Sequence, residues 1–180
     1  MTKYAISKKS KRAFLRWCAK GDVNYQGAIS YALETLLPII EEAGFEWVEK
    51  SPDGFKTPSF MIDLERRKPT GIEHININFD KYKKLNFSVT GTVSEKSTPY
   101  RRIVISRIVK YKSEFAKASI WGASIFSLNK GRVFKKETDR VGKFLPQLIS
   151  FFDSGNVGPN VYKFENQNTL EFFGKENGRD

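Results

Sequence analysis

The chain has 180 residues, 39% of them apolar and 14% aromatic, enough bulky surface for one core of ordinary domain size and too much for a disordered chain. Its formal charge is +11, with one cysteine and one histidine, which excludes an internal disulfide and a Cys-rich zinc site and leaves little scope for imidazole chemistry. The longest apolar runs, such as that ending at Ile40, are broken by charge or proline well short of the roughly 20 residues that a membrane span needs. No apolar segment or cleavage site follows the N-terminal lysines as a secretory signal would; a cytoplasmic protein with no membrane partner is expected.

Residues 1–9 read as a basic arm. A short helix is expected from Ser10 to Ala19, where Phe14, Leu15 and Cys18 fall three and four apart, with Gly21 as its stop. The clearest helix runs from Tyr25 to Ala43, with Ile29, Ala32, Leu33, Leu36, Leu37 and Ile40 on one face. Pro38 either kinks it or opens a second segment, and Gly44 ends it. From Phe45 onward the period drops to two, the spacing of a strand. Phe60, Ile62 and Leu64 alternate with Met61, Asp63 and Glu65, and Ile75, Ile77 and Phe79, then Leu85, Phe87 and Val89, alternate with polar neighbours. A further strand is expected over Arg102 to Lys110. Residues 118–128 fit a strand or a helical turn, and strand is favoured. A last helix follows from Phe134 to Phe152, then a loop from Asp153 to Asn160, with a short element over Thr169 to Phe173.

This order predicts an α+β fold, with an antiparallel meander sheet of about five strands and two N-terminal helices and one C-terminal helix packed on one face. Nothing divides the chain, so one domain over 1–180 is expected. The other sheet face is polar and poor in charge: it displays His74, Asn76, Asn78, Asn86, Ser88 and Thr90. That face reads either as plain solvated surface or as a polar binding surface.

Catalytic patterns are thin. His74 would need a nucleophile and an orienting carboxylate, and no nucleophile elbow is present. Ser127 and Lys130 match a Ser-x-x-Lys spacing without its companion motifs. Asp63 and Glu65 lie two apart on a predicted strand and so share a face, which raises a metal-dependent nuclease. The carboxylate-x-Lys pattern is not met, however, and a solvated strand edge is the preferred reading. No phosphate-cradling glycine loop occurs. A non-enzymatic protein without metal or small-molecule cofactor is expected.

Charge carries the strongest signal. Seven basic residues stand against one acidic over 1–22, six against one over 101–117, and six against two over 118–150, whereas 23–50 holds one against five. Such blocks raise the local concentration of anionic partners. Lys8, Lys9, Lys11, Arg12 and Arg16 interleave with Phe14 and Trp17. Arg101, Arg102, Arg107, Lys110, Lys112 and Lys117 interleave with Tyr100, Tyr111 and Phe115. These two sets are the candidate binding residues, for a protein partner, an acidic one by charge, or alternatively for a nucleic acid gripped by its phosphates with rings stacked on bases. The apolar helix Ile29 to Ile40 closing on Gly44-Phe45-Glu46-Trp47, the polar-faced hairpin Ile72 to Thr90 and the amphipathic helix near the end resemble small bacterial domains of unknown function, some of immunity-protein type. That resemblance, over residues 25–152, implies a protein that caps a partner. Immunity proteins against nucleases are commonly acidic, so the positive charge here points to an acidic or non-nuclease target.

Overall fold

The computed structural model describes residues 8–48, 58–96, 101–110, 120–124 and 126–165. Three helices, α1 (Lys8–Cys18), α2 (Val23–Glu42) and α3 (Lys130–Ser154), accompany seven strands. These are β1 (Glu46–Trp47), β2 (Met61–Lys68), β3 (Gly71–Phe79), β4 (Asn86–Lys96), β5 (Arg101–Ile108), β6 (Trp121–Gly122) and β7 (Val161–Glu165). All pair antiparallel in the order β1-β2-β3-β4-β5-β7, with β6 on the first two residues of β4. The α+β meander expected from the sequence is therefore the fold observed, with two strands more than expected: β1, at two residues, is too short to show a period, and β7 follows directly on the expected loop over 153–160.

Register explains the two faces. Ile62, Ile77 and Val89 stand side by side across β2, β3 and β4, as do Leu64 and Ile75. They pack with Ile29, Ala32, Leu36 and Ile40 of α2 and Phe134, Val141, Leu145 and Leu148 of α3 in one core. Leu64 and Ile75 are followed in that row by Gly91, against which Leu148 and Phe152 of α3 lie. A Cβ there would lie 2.5 Å from the Phe152 ring and 2.7 Å from the Ser106 hydroxyl, so a larger residue would make these side chains shift where α3 packs on the sheet. Pro38 and Pro146 lie on exposed helix faces and both helices run through them.

Two boundaries differ from expectation, for local reasons. Of the stretch 118–128, the described residues 120–124 and 126–128 give only the two-residue β6, because Trp121 is buried while Ile120 and Phe126 are exposed and share no buried face. Gly122, at φ +125°, turns the chain 2.2 Å (from a hypothetical Cβ) over the Leu85 carbonyl. Helix α3 starts at Lys130, a turn ahead of Phe134, since the Asn129 side chain accepts from the Arg132 N–H at 3.0 Å and caps it. The element expected over Thr169 to Phe173 lies outside the described residues, and Lys8 and Lys9 of the expected arm already belong to α1.

Helices α2 and α3 run in the same direction. Their contacts advance together: Tyr31 donates to Asp139 at 2.6 Å, and further along Gly142 faces Thr35 and Ile39. Both therefore finish at one end of the sheet, where Arg66 is the clamp. It donates to the Ala43 carbonyl at 2.8 Å, to Glu73 at 2.6 Å and to Asp153 at 2.7 Å, with its guanidinium 4.5 Å over the Phe45 ring. Lys68 joins it, 3.0 Å from Asp153 and 2.9 Å from Glu73.

Candidate functional site at the start of two helices

The opposite end of the helix pair opens into a cleft of about 1310 Å³. Asp22 and the first turns of α2 form one side, and Asn129, Lys130, Gly131 and Arg132 of α3 form another. Each helix is capped by its own side chain, Asp22 accepting from the Tyr25 N–H at 2.7 Å and Asn129 from that of Arg132. Caps satisfy one donor each; the first N–H groups of both helices still present partial positive charge to the cleft. Neither helix carries an acidic residue in its first turn, the place where acids normally offset that charge.

Cations line the same cleft instead: Lys83, Lys84, Lys110, Lys130, Arg132 and Lys135, against the single acid Asp22. Lys83 is held in a turn that Asp80 organises, accepting from the Tyr82 N–H at 2.8 Å while its carbonyl takes the Lys83 N–H at 2.9 Å. The Lys83 backbone is left-handed, at φ 59°, a conformation that costs a non-glycine residue of order 1 kcal/mol. Lys110 is partly neutralised. Its ammonium sits 2.8 Å from the buried Glu137, which Arg140 also meets at 3.1 Å, and 5.3 Å over the Trp121 ring. The Lys110 backbone is pinned by Asn160, whose amide donates to the carbonyls of Val109 and Lys110 at 3.1 and 3.2 Å. Lys135 lies 4.9 Å over Tyr31. Tyr25 also lines the cleft, and its buried hydroxyl has no hydrogen-bond partner among the described residues; burial, then the nearby Cys18 and Asp80, push its ionisation up.

Apolar side chains share the opening. Val23, Ile120 and Leu128 line it, and Tyr82 and Phe126 are next in sequence to its lining residues Lys83 and Ser127. All five are among the seven large apolar side chains exposed within the described residues.

The residues singled out from sequence lie elsewhere where their side chains are described, with one exception. Lys8, Lys9 and Lys11 are on α1 with Arg12 and Arg16, both exposed, and Arg16 donates to the Arg12 carbonyl at 3.2 Å. Helix α1 is held by Phe14, whose ring meets Trp47 and Phe79 at 5.7 Å. Arg101 and Arg102 begin β5 and Arg107 nears its end, opposite Thr90 and Tyr162. Lys112 and Lys117 lie outside the described residues. Of those whose side chains are described, Arg12, Arg16, Arg107 and Lys110, only Lys110 lines the cleft. The rest of the cleft's charge comes from the Lys81 to Lys84 turn and from the block over 118–150. Its signal in the sequence is Asn129-Lys130-Gly131-Arg132, a helix cap followed by cations, which an expected start at Phe134 leaves outside the helix.

The polar sheet face is real as geometry. Asn78 pairs across from Ser88, Asn76 from Thr90 and His74 from Thr92, with Asn86 opposite Gly122. It is less wet than a solvated face or a strand edge would be, because Asp63, Glu65 and His74 are 4%, 6% and 7% exposed. His74 sits between the two carboxylates: Nδ1 lies 3.1 Å from Asp63 and Nε2 4.0 Å from Glu65, which also pairs with Arg67. Opposite ring nitrogens face opposite acids, so the donors do not converge on one point, and among the described residues no three such side chains are arranged to hold a metal ion. Burial closes this cluster to a substrate. Ser127, for its part, faces the Ser124 hydroxyl at 3.2 Å.

No protein family, curated protein or solved structure matches the chain. Among the described residues no helix is long and apolar enough to cross a membrane.

Proposed function

We propose that the chain is a non-enzymatic binding protein that engages an anionic macromolecular partner at the cleft, a protein ahead of a nucleic acid, in the manner of an immunity or inhibitor protein. One observation carries this reading: two parallel helices begin at the same opening, where the Asp22 cap of α2 is the only acid among the lining residues, and Lys130 and Arg132 stand in the first turn of α3 where acids are normally found. Cations at a helix N-terminus each weaken the helix by about 0.3–1 kcal/mol. A departure of this kind from local preference is what a functional site, rather than the fold, accounts for. The exposed aliphatic residues around the cleft favour a protein partner, since bases stack on rings rather than on Val, Ile or Leu. The nucleic-acid reading draws on the helix starts and lysines, which suit phosphate.

Binding of fluorescent polyglutamate and of single- and double-stranded oligonucleotides, titrated with salt, tests the proposal. At least one polyanion is expected to bind at low salt, to weaken as salt rises, and to lose about tenfold or more in affinity in the Lys130→Glu, Arg132→Glu double variant. Absence of binding by every polyanion at low salt, or binding indifferent to the two reversals, would remove the cleft as the site.

A further inference from the structure

We infer that the segment received by the cleft is an acidic amphipathic stretch of a partner protein, its carboxylates set against the lysines and helix starts and its apolar side chains against Phe126, Leu128 and Ile120. This rests on the proposed function above and names the chemistry of the partner. Three properties of the opening converge on it.

The first is size. At about 1310 Å³ the cleft exceeds the roughly 300–1,000 Å³ typical of small-molecule pockets, so a single phosphate or a small anion would leave most of it to water. The second is the composition of its rim. Leu128 and Phe126, in the turn that follows β6 and feeds α3, are 106% and 87% exposed, and Val23, at the start of α2, is 84% exposed. Apolar groups left in water beside a charged opening mark a contact surface, and three of the five here are aliphatic, which suits side chains of a protein more than bases. The third is charge balance. Lys84, Lys130 and Arg132 have no acidic partner among the described residues, whereas Lys110 is already paired with Glu137. The free cations are thus beside the apolar rim, and a complementary segment must offer carboxylates and apolar groups together. A uniformly charged polymer would satisfy the lysines and leave Phe126 and Leu128 wet.

Calorimetric titration of the full chain with three probes of equal charge separates the possibilities: a peptide repeating Glu and Leu at helical spacing, polyglutamate, and oligo-thymidylate. The Glu/Leu peptide is expected to bind about tenfold or more tighter than polyglutamate, the worth of burying one or two apolar side chains. That advantage should disappear in the Phe126→Ser, Leu128→Ser double variant while polyglutamate binding stays as it was; both residues are exposed, so the fold is not at stake. Equal affinity for the two peptides, or tighter binding of oligo-thymidylate than of the Glu/Leu peptide, overturns the inference and leaves the proposed function standing. If no probe binds at low salt, the proposed function itself falls and the inference with it.

Discussion

Where α2 and α3 finish, Arg66 and Lys68 bring positive charge to the negative ends of both helices, reaching the Ala43 carbonyl, the Phe152 carbonyl and Asp153. Where they begin, the chain sets positive charge against the positive ends, with Lys130 and Arg132 in the first turn of α3 and Lys83 and Lys84 across from it. Both ends are rich in cations, yet the same residue type stabilises one and weakens the other, because the sign of the helix terminus reverses. Running in parallel makes the contrast sharper, since the two partial charges at each end add. Net charge alone is therefore a poor guide to where a partner binds. What distinguishes the two ends is whether each cation already has something to neutralise.

Removing charge at each end should accordingly move stability in opposite directions. Arg66→Ala takes away a guanidinium that is 13% exposed and leaves Glu73, 5% exposed, with Lys68 alone; a loss of about 3 kcal/mol is expected from urea unfolding. An unchanged midpoint would mean that the clamp is not one. At the cleft, Lys130→Ala with Arg132→Ala should leave the urea midpoint unchanged or raise it, by about 0.3–1 kcal/mol per charge, while polyanion binding falls. A clear loss of stability there would show that these cations serve the fold and would erase the contrast.

The clamp also carries a pH signature. Burial acts to raise the Asp153 carboxyl, but the hydrogen bond and charge of Lys68 and those of Arg66 outweigh it and hold the group below its ordinary value. A depressed carboxyl contributes stability above its unfolded value, near pH 4, and that contribution is lost as pH falls through the lower folded value. Thermal melts at pH 5 and then at progressively lower pH should show the advantage of the native chain over Asp153→Asn shrinking. A difference that stays constant with pH would assign Asp153 a role other than its charge. The group is half exposed, so the effect is smaller than that of Arg66.

Much of the fold is legible in the sequence, since α2 and the β2 to β4 strands announce themselves by the spacing of Ile29 to Ile40 and the alternation of Ile62 to Val89. What is hidden follows from physics that a single segment does not contain. The parallel run of α2 and α3 depends on crossings between residues more than 100 apart, such as Tyr31 with Asp139. The burial of Asp63, Glu65 and His74 depends on which neighbours cover a polar face. The cleft was hidden by a boundary: with α3 begun at Phe134, Lys130 and Arg132 read as loop charges, and only the Asn129 cap reveals that they sit on a helix start. Basic runs interleaved with rings point to α1 and β5, although charge becomes a site only where separate segments meet.

The smallest expected effect uses Cys18 as a gauge of the field at the open end. Burial raises its thiol to about 11, and the charge of Lys83, a cleft residue, acts in the opposite direction. Since the protonated thiol is the form the folded chain prefers, its contribution to stability is complete below the unfolded value of 9.0 and fades as pH rises toward 11. Lys83→Ala should shift the thiolate titration, followed by ultraviolet absorbance, further upward, and polyglutamate bound in the cleft should shift it in the same direction by screening the lysine. The two should not add: once Lys83 is gone, the bound polyanion has less positive charge near the thiol to cancel. If polyglutamate binds without moving the titration of Cys18, the anion is seated away from Lys83, and the site contracts to the α3 side of the opening.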